Sequence, residues 1–240
     1  MIFKVGLSGA SGHMGLEIAD MLAAGYRKGD RRLELADVVV GQSSLSEIEG
    51  VGTRRIDEPP REPVHVWIDF SRPEATMTLL EKISCPMVIG TTGFSAEQLQ
   101  RLRSAAETRA ILLAPNMSPG MALLRTMIAA LPDQLGEHFQ VVLSEDHHKQ
   151  KVDSPSGTAK QLKALLAERG LDIDTVQVTR AGKIIGNHTI RLISDEEELE
   201  FTHRAYDRRV FARGALEAAA FLATQKPGWY SMENVYGGNQ

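Results

Sequence analysis

Cysteine is nearly absent, with Cys85 the only one in 240 residues. That excludes an intramolecular disulfide and a cysteine-built metal centre. Set between Ser84 and Pro86 ahead of an apolar run, Cys85 reads as a buried structural thiol. Positive charge is not in excess either: the formal net charge is −4, so neither nucleic acid nor an acidic membrane surface is expected as a main partner. No stretch reaches the ~18 consecutive apolar residues of a membrane span. The charged-then-apolar pattern of a secretory leader is also missing, because Met1 to Leu7 runs straight into glycine. A soluble cytoplasmic protein without internal repeats or low-complexity tracts is the expectation.

Apolar residues make up 42% of the chain, enough for one α/β domain or two smaller ones with packed cores. Ile2 to Leu7 reads as a buried strand, Gly9-Ala10-Ser11-Gly12-His13-Met14-Gly15 follows it, and Leu16, Ile18, Ala19 and Leu22 then recur at helical spacing. Between a strand and a helix, such glycines let the backbone approach a pyrophosphate and aim amide donors at it. A dinucleotide is therefore expected at Gly9, Ala10, Ser11, Gly12, His13 and Met14. The second strand, Leu33 to Val40, ends at Gly41-Gln42-Ser43-Ser44 without the acidic residue that often meets an adenosine ribose; Glu34 and Asp37 lie inside it. Nothing there repels a 2′-phosphate, and Ser43 or Ser44 can donate to one. No arginine stands at the strand end, so NADH and NADPH both remain open.

Gly50 to Pro63, with Pro59-Pro60 and mixed charges, reads as a loop. Further strands at Val64 to Phe70, Pro86 to Ile89 and Ala110 to Ala114 alternate with helices, which predicts a parallel sheet covered on both faces. Ligands in such sheets lie across the carboxyl ends of the strands, so Gly90, Thr91 and Thr92, with Ala114, Pro115, Asn116 and Met117, would line the cofactor crevice. From Phe139 the pattern changes to strands around one helix. Fold class is therefore α/β: an N-terminal Rossmann-like parallel sheet with a second α+β domain of mixed sheet. The expected divisions are 1–117 for the dinucleotide-binding domain, 118–207 for the second domain, and 208–240 for an amphipathic helix and tail returning to the first.

The densest chemistry lies in Glu145-Asp146-His147-His148-Lys149-Gln150-Lys151-Val152-Asp153-Ser154-Pro155-Ser156-Gly157-Thr158-Ala159. It joins a β-branched strand to a helix, and the amides of Gly157 and Thr158 at the helix start suit an anion. Neighbouring strand residues point to opposite faces, so His147 and His148 do not share a metal, and no third imidazole lies at helical or strand spacing. No metal is expected. If the strand geometry persists, His147 and Lys151 share a face, where an imidazole and an amine suit proton donation to a substrate. Asp153 and Glu145 would orient the cations, and His188 and His203 read as structural.

These residues resemble the 4-hydroxy-tetrahydrodipicolinate reductase (dihydrodipicolinate reductase) family. Its Glu-x-His-His-x-x-Lys-x-Asp-x-Pro-Ser-Gly-Thr-Ala pattern stands at 145–159 without a gap. The segments Asp69-Phe70-Ser71-Arg72-Pro73, Gly90-Thr91-Thr92-Gly93-Phe94, Ala114-Pro115-Asn116-Met117-Ser118, Arg180-Ala181-Gly182 and Thr202-His203-Arg204-Ala205 follow in family order. The resemblance implies that His147 gives or takes a proton, that Lys151 is a second donor, and that His148, Gly157 and Thr158 bind the carboxylates of a cyclic imine dicarboxylate. It implies NADH or NADPH bound by Gly9 to Met14, Gly90 to Thr92 and Ala114 to Met117. In the family, hydride goes to C4 and a proton to C3, with water lost from the 4-hydroxy form, in the diaminopimelate and lysine pathway. Assembly as a homotetramer through the substrate-domain sheet is implied as well.

The sequence departs from the family pattern in four places. His13 replaces the usual arginine or lysine, the acidic and basic pair after the second strand is missing, Met117 replaces a common phenylalanine, and the Gly50 to Pro63 region is short. Two other functions fit the residues: a nicotinamide-sensing binding protein without catalysis, and another oxidoreductase acting on a dicarboxylate.

Overall fold

The computed structural model describes residues 1–133, 135–173 and 175–237. The chain divides into two compact units, Met1–Met117 together with the helix, strand and turn that begin at Arg209, and Ser118–Arg208.

The first unit is a twisted sheet flanked by helices. Its elements are β1 (Ile2–Ser8), α1 (His13–Ala23), β2 (Arg27–Lys28), β3 (Arg31–Val39), β4 (Glu47–Ile48), β5 (Val51–Arg54), β6 (Val66–Asp69), α2 (Pro73–Lys82), β7 (Met87–Ile89), α3 (Ala96–Ala105) and β8 (Ala110–Leu113). The second unit follows with α4 (Pro119–Ala129), β9 (Gln140–His147), α5 (Gly157–Ala167), β10 (Val176–Arg180), β11 (Gly186–Ile193) and β12 (Glu198–Ala205); α6 (Arg209–Leu222), β13 (Gly228–Tyr230) and α7 (Met232–Val235) then return to the first. The first sheet runs β13-β8-β7-β6-β1-β3-β5-β4, with β2 on β3. All of its pairings are parallel except β2 with β3 and β4 with β5. Both faces are covered, so the strands are buried along their length: all four residues of β6, Asp69 among them, are buried, as are all three of β7. Trp67, Leu79, Met87, Ile89, Leu102 and Ile111 fill one of the layers.

The expected loop at 50–63 holds a strand instead. Ile48 pairs with Val51 across Glu49 and Gly50, both at positive φ, which is the geometry of a two-residue hairpin turn. The resulting β5 lies parallel to β3, pairing Thr53 with Val38 and Arg54 with Val39. A buried ion pair locks it there: Arg54 Nε and Nη2 donate to the Asp37 carboxylate at 2.9 to 3.1 Å, and the guanidinium lies 5.6 Å from the Trp67 ring. Only this long-range partner makes a strand of a stretch that mixed charges and prolines disguise.

In the second unit the sheet runs β10-β9-β11-β12, with β9/β10 parallel and the other pairs antiparallel. Leu143, Ile190 and Leu192 point to one face, where Met121, Leu124 and Ile128 of α4 and Leu162 and Leu166 of α5 close the core. Each such burial is worth roughly 1.5–3 kcal/mol. No helix among the described residues is long and apolar enough to cross a membrane.

Candidate active site

In the first unit, the turn after β1 is built for close approach. Gly9 has φ +75°, and a Cβ there would stand 2.2 Å from the carbonyl oxygen of Phe70. A Cβ on Gly15 would meet the Gly9 carbonyl oxygen at 2.4 Å, so the start of α1 can sit against the turn only as glycine. Gly12 is the N-cap of α1 and donates to the Gly9 carbonyl at 3.0 Å; no side chain caps the helix and no acid lies in its first turn. The first-turn amides of α1 are thus left without a capping side chain, an arrangement that suits an anion. His13 is exposed, Ala10 is buried, and Ser11 and Met14 are half-buried beside the turn.

A cleft of about 780 Å³ opens here, lined among others by Gly9, Ser11, Gly12, Ser43, Arg55 and Arg72. The arginine missing from the end of β3 is therefore supplied from elsewhere: Arg55 follows β5, and its Nη2 donates to the Ser43 carbonyl at 3.3 Å. Asp57 is an acid in the same lining. No local signal marks Arg55, which stands 12 residues beyond Ser43 and joins it only through the β3/β5 pairing. These residues fit the pyrophosphate and adenosine parts of a nicotinamide dinucleotide.

Gly90, Thr91 and Thr92 follow β7, and Ala114 to Met117 follow β8, at the carboxyl ends of adjacent parallel strands. The Thr91 hydroxyl is already committed, donating to Asp69 Oδ2 at 2.9 Å and accepting from the Ser71 amide at 2.9 Å, so its backbone is what it can offer a ligand. Asp69 also takes the hydroxyls of Ser71 and Thr76, at 2.6 and 2.5 Å. Burial pushes its carboxyl up despite these donors. Pro115 and Asn116 are half-buried, whereas Ala114 and Met117 are buried.

In the second unit, β9 runs into the 145–159 stretch as far as His147, and alternation puts Leu143, Glu145 and His147 on the buried side. The strand stops there. The Lys151 amide donates to the His148 carbonyl at 3.1 Å, so 148–151 is a turn and not the extended continuation on which a shared face for His147 and Lys151 rested. The turn still leaves the Lys151 charge acting on His147. Lys151 Nζ binds Asp153 Oδ1 at 2.7 Å, and the other oxygen of Asp153 accepts from the Gly157 amide at 3.3 Å. An acidic side chain thus stands at the first amide of α5, where a substrate carboxylate was expected. Ser156 caps the helix by accepting from the Ala159 amide at 3.1 Å. Thr158 is buried, Gly157 half-buried, and His148 lies at the strand's end.

Glu145 is the hub of this site, and register explains it. His188 of β11 pairs with Glu145, and Arg180 of β10 pairs with His147. Arg180 Nη2 and the Ser156 amide both donate to Glu145 Oε1, at 2.9 and 3.0 Å. Burial would raise this carboxyl, but the His188 imidazole, Ser156 and Arg180 outweigh it and hold it well below the usual range. His147 is pushed down to about 4, first by burial, then by His188, against the pull of Glu145. Sequence reasoning read His188 as structural and gave Arg180 no role at this site; strand pairing, invisible in a single chain, brings both to Glu145.

The same register corrects the reason for expecting no metal. Glu145, His147 and His188 bring ligand atoms within 4.8 Å of one another, with the third donor coming from a neighbouring strand. The donor set is competent for a divalent ion. Against one stands the Arg180 guanidinium, which already holds Glu145 Oε1 at 2.9 Å, and the positive charge of Lys151 also acts on His147.

Residues 3–117 match the family described as dihydrodipicolinate reductase, N-terminus, and residues 120–236 match dihydrodipicolinate reductase, C-terminus. A 4-hydroxy-tetrahydrodipicolinate reductase of Nitrosomonas europaea is 35% identical, covering 98% of each chain. One from Bdellovibrio bacteriovorus is 37% identical over 97% of this chain and 95% of its own. Among solved structures, a dipicolinate-bound dihydrodipicolinate reductase from a Paenisporosarcina species superposes with a TM-score of 0.70 at 22% identity, over 98% of this chain and 99% of the other. An engineered D-amino acid dehydrogenase bound to NADP+ has a TM-score of 0.58 at 12% identity, over 100% and 97%; both share the fold.

Proposed function

The chain belongs to the dihydrodipicolinate reductase family, and from that membership we propose how its own residues carry out the reduction of 4-hydroxy-tetrahydrodipicolinate in diaminopimelate and lysine biosynthesis. The observation that carries the reading is the link from Lys151 through Asp153 to the first amide of α5, in the turn that directly follows His147. The bound nicotinamide cofactor supplies the hydride. The substrate's carboxylates take the Gly157 and Thr158 amides and the edge of His148, and Asp153 gives up Gly157 to one of them. Lys151, released from Asp153, then points its ammonium at the same anion. Water leaves the 4-hydroxy form, C4 receives the hydride, and C3 receives a proton from His147 or Lys151. A dianion beside His147 raises its hold on a proton, offsetting the burial that keeps it neutral when alone.

Turnover of NADH or NADPH with the condensation product of pyruvate and aspartate semialdehyde tests the reading. His147→Gln and Lys151→Ala are each expected to lower kcat roughly 10²-fold, and wild-type turnover in either variant removes that residue. Inactivity on this substrate with turnover of another dicarboxylate would favour a different oxidoreductase.

The cofactor site is read as Gly9, Ala10, Ser11, Gly12, His13 and Met14 at the pyrophosphate, with Gly90 to Thr92 and Ala114 to Met117 toward the nicotinamide. Arg55 and Ser43 beside the β3 end suit a 2′-phosphate, so NADPH is favoured over NADH. A homotetramer in the cytoplasm completes the reading. Its support is the pair of outer strands, β10 and β12, which leave Val178 and Leu199 exposed; the mass in solution tests it.

A further inference from the structure

The Glu145 carboxylate has two unequal oxygens. Oε1 is saturated by Arg180 and the Ser156 amide. Oε2 is buried and has no hydrogen-bond partner, yet it lies 3.7 Å from His147 Nδ1 and 3.6 Å from His188 Nε2. His147 Nδ1 is itself buried without a partner. The two imidazoles meet edge to face, with centroids 5.2 Å apart. Buried polar atoms left unpaired this close to one another cost free energy that one small rotation recovers. The other ring nitrogen of His147 looks toward Gly186, where a Cβ would stand 3.1 Å from Nε2. Glycine at that position is what lets Nε2 lie this close to β11, where any side chain would crowd it.

We propose that Glu145 is the positioning residue of the site: its free oxygen accepts the Nδ1 proton of His147, turning Nε2 toward the substrate, while His188 competes for the same oxygen. A proton that His147 Nε2 gives to the substrate carbon leaves the Nδ1 proton in place and returns the ring to its neutral form; Glu145 stays ionised throughout, held by Arg180. This division of labour places a carboxylate behind the proton donor, where it fixes the tautomer and supports the imidazolium. The charged and titratable groups around His147 are Glu145 on its own strand, Lys151 and Asp153 in the following turn, Arg180 on β10 and His188 on β11, with His203 of β12 behind His188. Of these, only Glu145 is an acid within 4 Å of the ring.

The inference rests on the reading of His147 as a proton-handling group, and it is tested first by a measurement that needs no turnover. In the full chain, the ring nitrogens of His147 are followed by NMR against pH and assigned by their loss in His147→Gln. Glu145→Gln, which keeps the shape and removes the charge, is expected to move the His147 titration to lower pH by about one unit or more. Glu145→Asp, which keeps the charge, should return it toward the wild-type position. An unchanged titration in Glu145→Gln overturns the proposal, whether or not the chain reduces the dicarboxylate. If that variant does not fold, His188→Asn carries the test: removing the competitor should raise the His147 titration, and no movement overturns the proposal equally. In turnover, Glu145→Gln should lower kcat roughly 10²-fold with a small change in KM and a displaced pH profile. A raised KM with the wild-type kcat and profile assigns Glu145 a merely structural part and overturns the proposal.

Discussion

Asp153 shows how one side chain can hold a binding site ready and also compete for it. It bonds Lys151 at 2.7 Å and the Gly157 amide at 3.3 Å, so it occupies the positive end of α5 with its own carboxylate. Burial would raise its pKa, yet the hydrogen bond and charge of Lys151 hold it below the usual carboxylate range. A ligand carboxylate entering here exchanges one anion for another, and the exchange costs little only if Lys151 changes partner at the same time. Asp153→Asn removes the competing charge and keeps a group able to accept from Gly157. The expected result is a several-fold tighter Kd for pyridine-2,6-dicarboxylate by calorimetry, and weaker binding in the variant would show that Asp153 builds the site instead of guarding it. The sequence showed Asp153 as a partner for cations; its place at Gly157 depends on the turn at 148–151, which the strand-like reading of that stretch missed.

The informative element is β5. It exists because Asp37 and Arg54 are buried together, with side chains 0% and 1% exposed, and because Glu49-Gly50 allows the chain to double back. A buried pair of this kind is costly to break, about 3–5 kcal/mol when one partner is removed, because the other charge is left alone. The consequence for function is positional: Arg54 anchors the strand inward, and Arg55, the next residue, is delivered to the cleft beside Ser43. Arg55→Gln should therefore weaken NADPH roughly ten-fold or more and leave NADH nearly unchanged, with 2′,5′-ADP and 5′-AMP as the binding probes that isolate the 2′-phosphate. Equal losses for both cofactors would move Arg55 away from that group. The glycine turn, the parallel strands and the capped α5 were legible because each depends on residues close in sequence. The first is a spacing of glycines, the second a run of apolar residues, and the third is Ser156 ahead of a leucine face. β5, Arg55, Arg180 and His188 were not, because each takes its role from a strand partner at least 12 residues away.

At the scale of the whole molecule, the two units are built differently with respect to chain order. The second is contiguous: among the described residues its four strands and two α-helices lie between Ser118 and Arg208, as does its core of Met121, Leu124, Leu143, Leu162, Leu166, Ile190 and Leu192. Its ends are tied to each other, since Ser118 Oγ, which caps α4, lies 2.9 Å from His203 Nε2. The first is discontinuous. Its sheet needs α6, whose Ala212, Ala215, Leu216, Ala219 and Leu222 are buried and which packs on α1, β6 and β7, and its edge is extended by β13 against β8. A fragment 1–117 would leave the apolar surface that α6 covers open to water, at about 25 cal/mol for each Å² exposed. The expected outcome is that 118–208, made alone, folds cooperatively by circular dichroism and thermal melting, whereas 1–117 is molten or insoluble. It follows that the fragment 118–208 should keep the His147 titration and its dependence on Glu145, since Glu145, Lys151, Arg180 and His188 all lie inside it. Cofactor affinity should appear only when the residues from Arg209 onward are joined to 1–117, because the helix that opens at the glycine turn is the one on which α6 rests. An unfolded 118–208 would mean that its core depends on the rest of the chain, and that the site it carries is not a property of the unit alone.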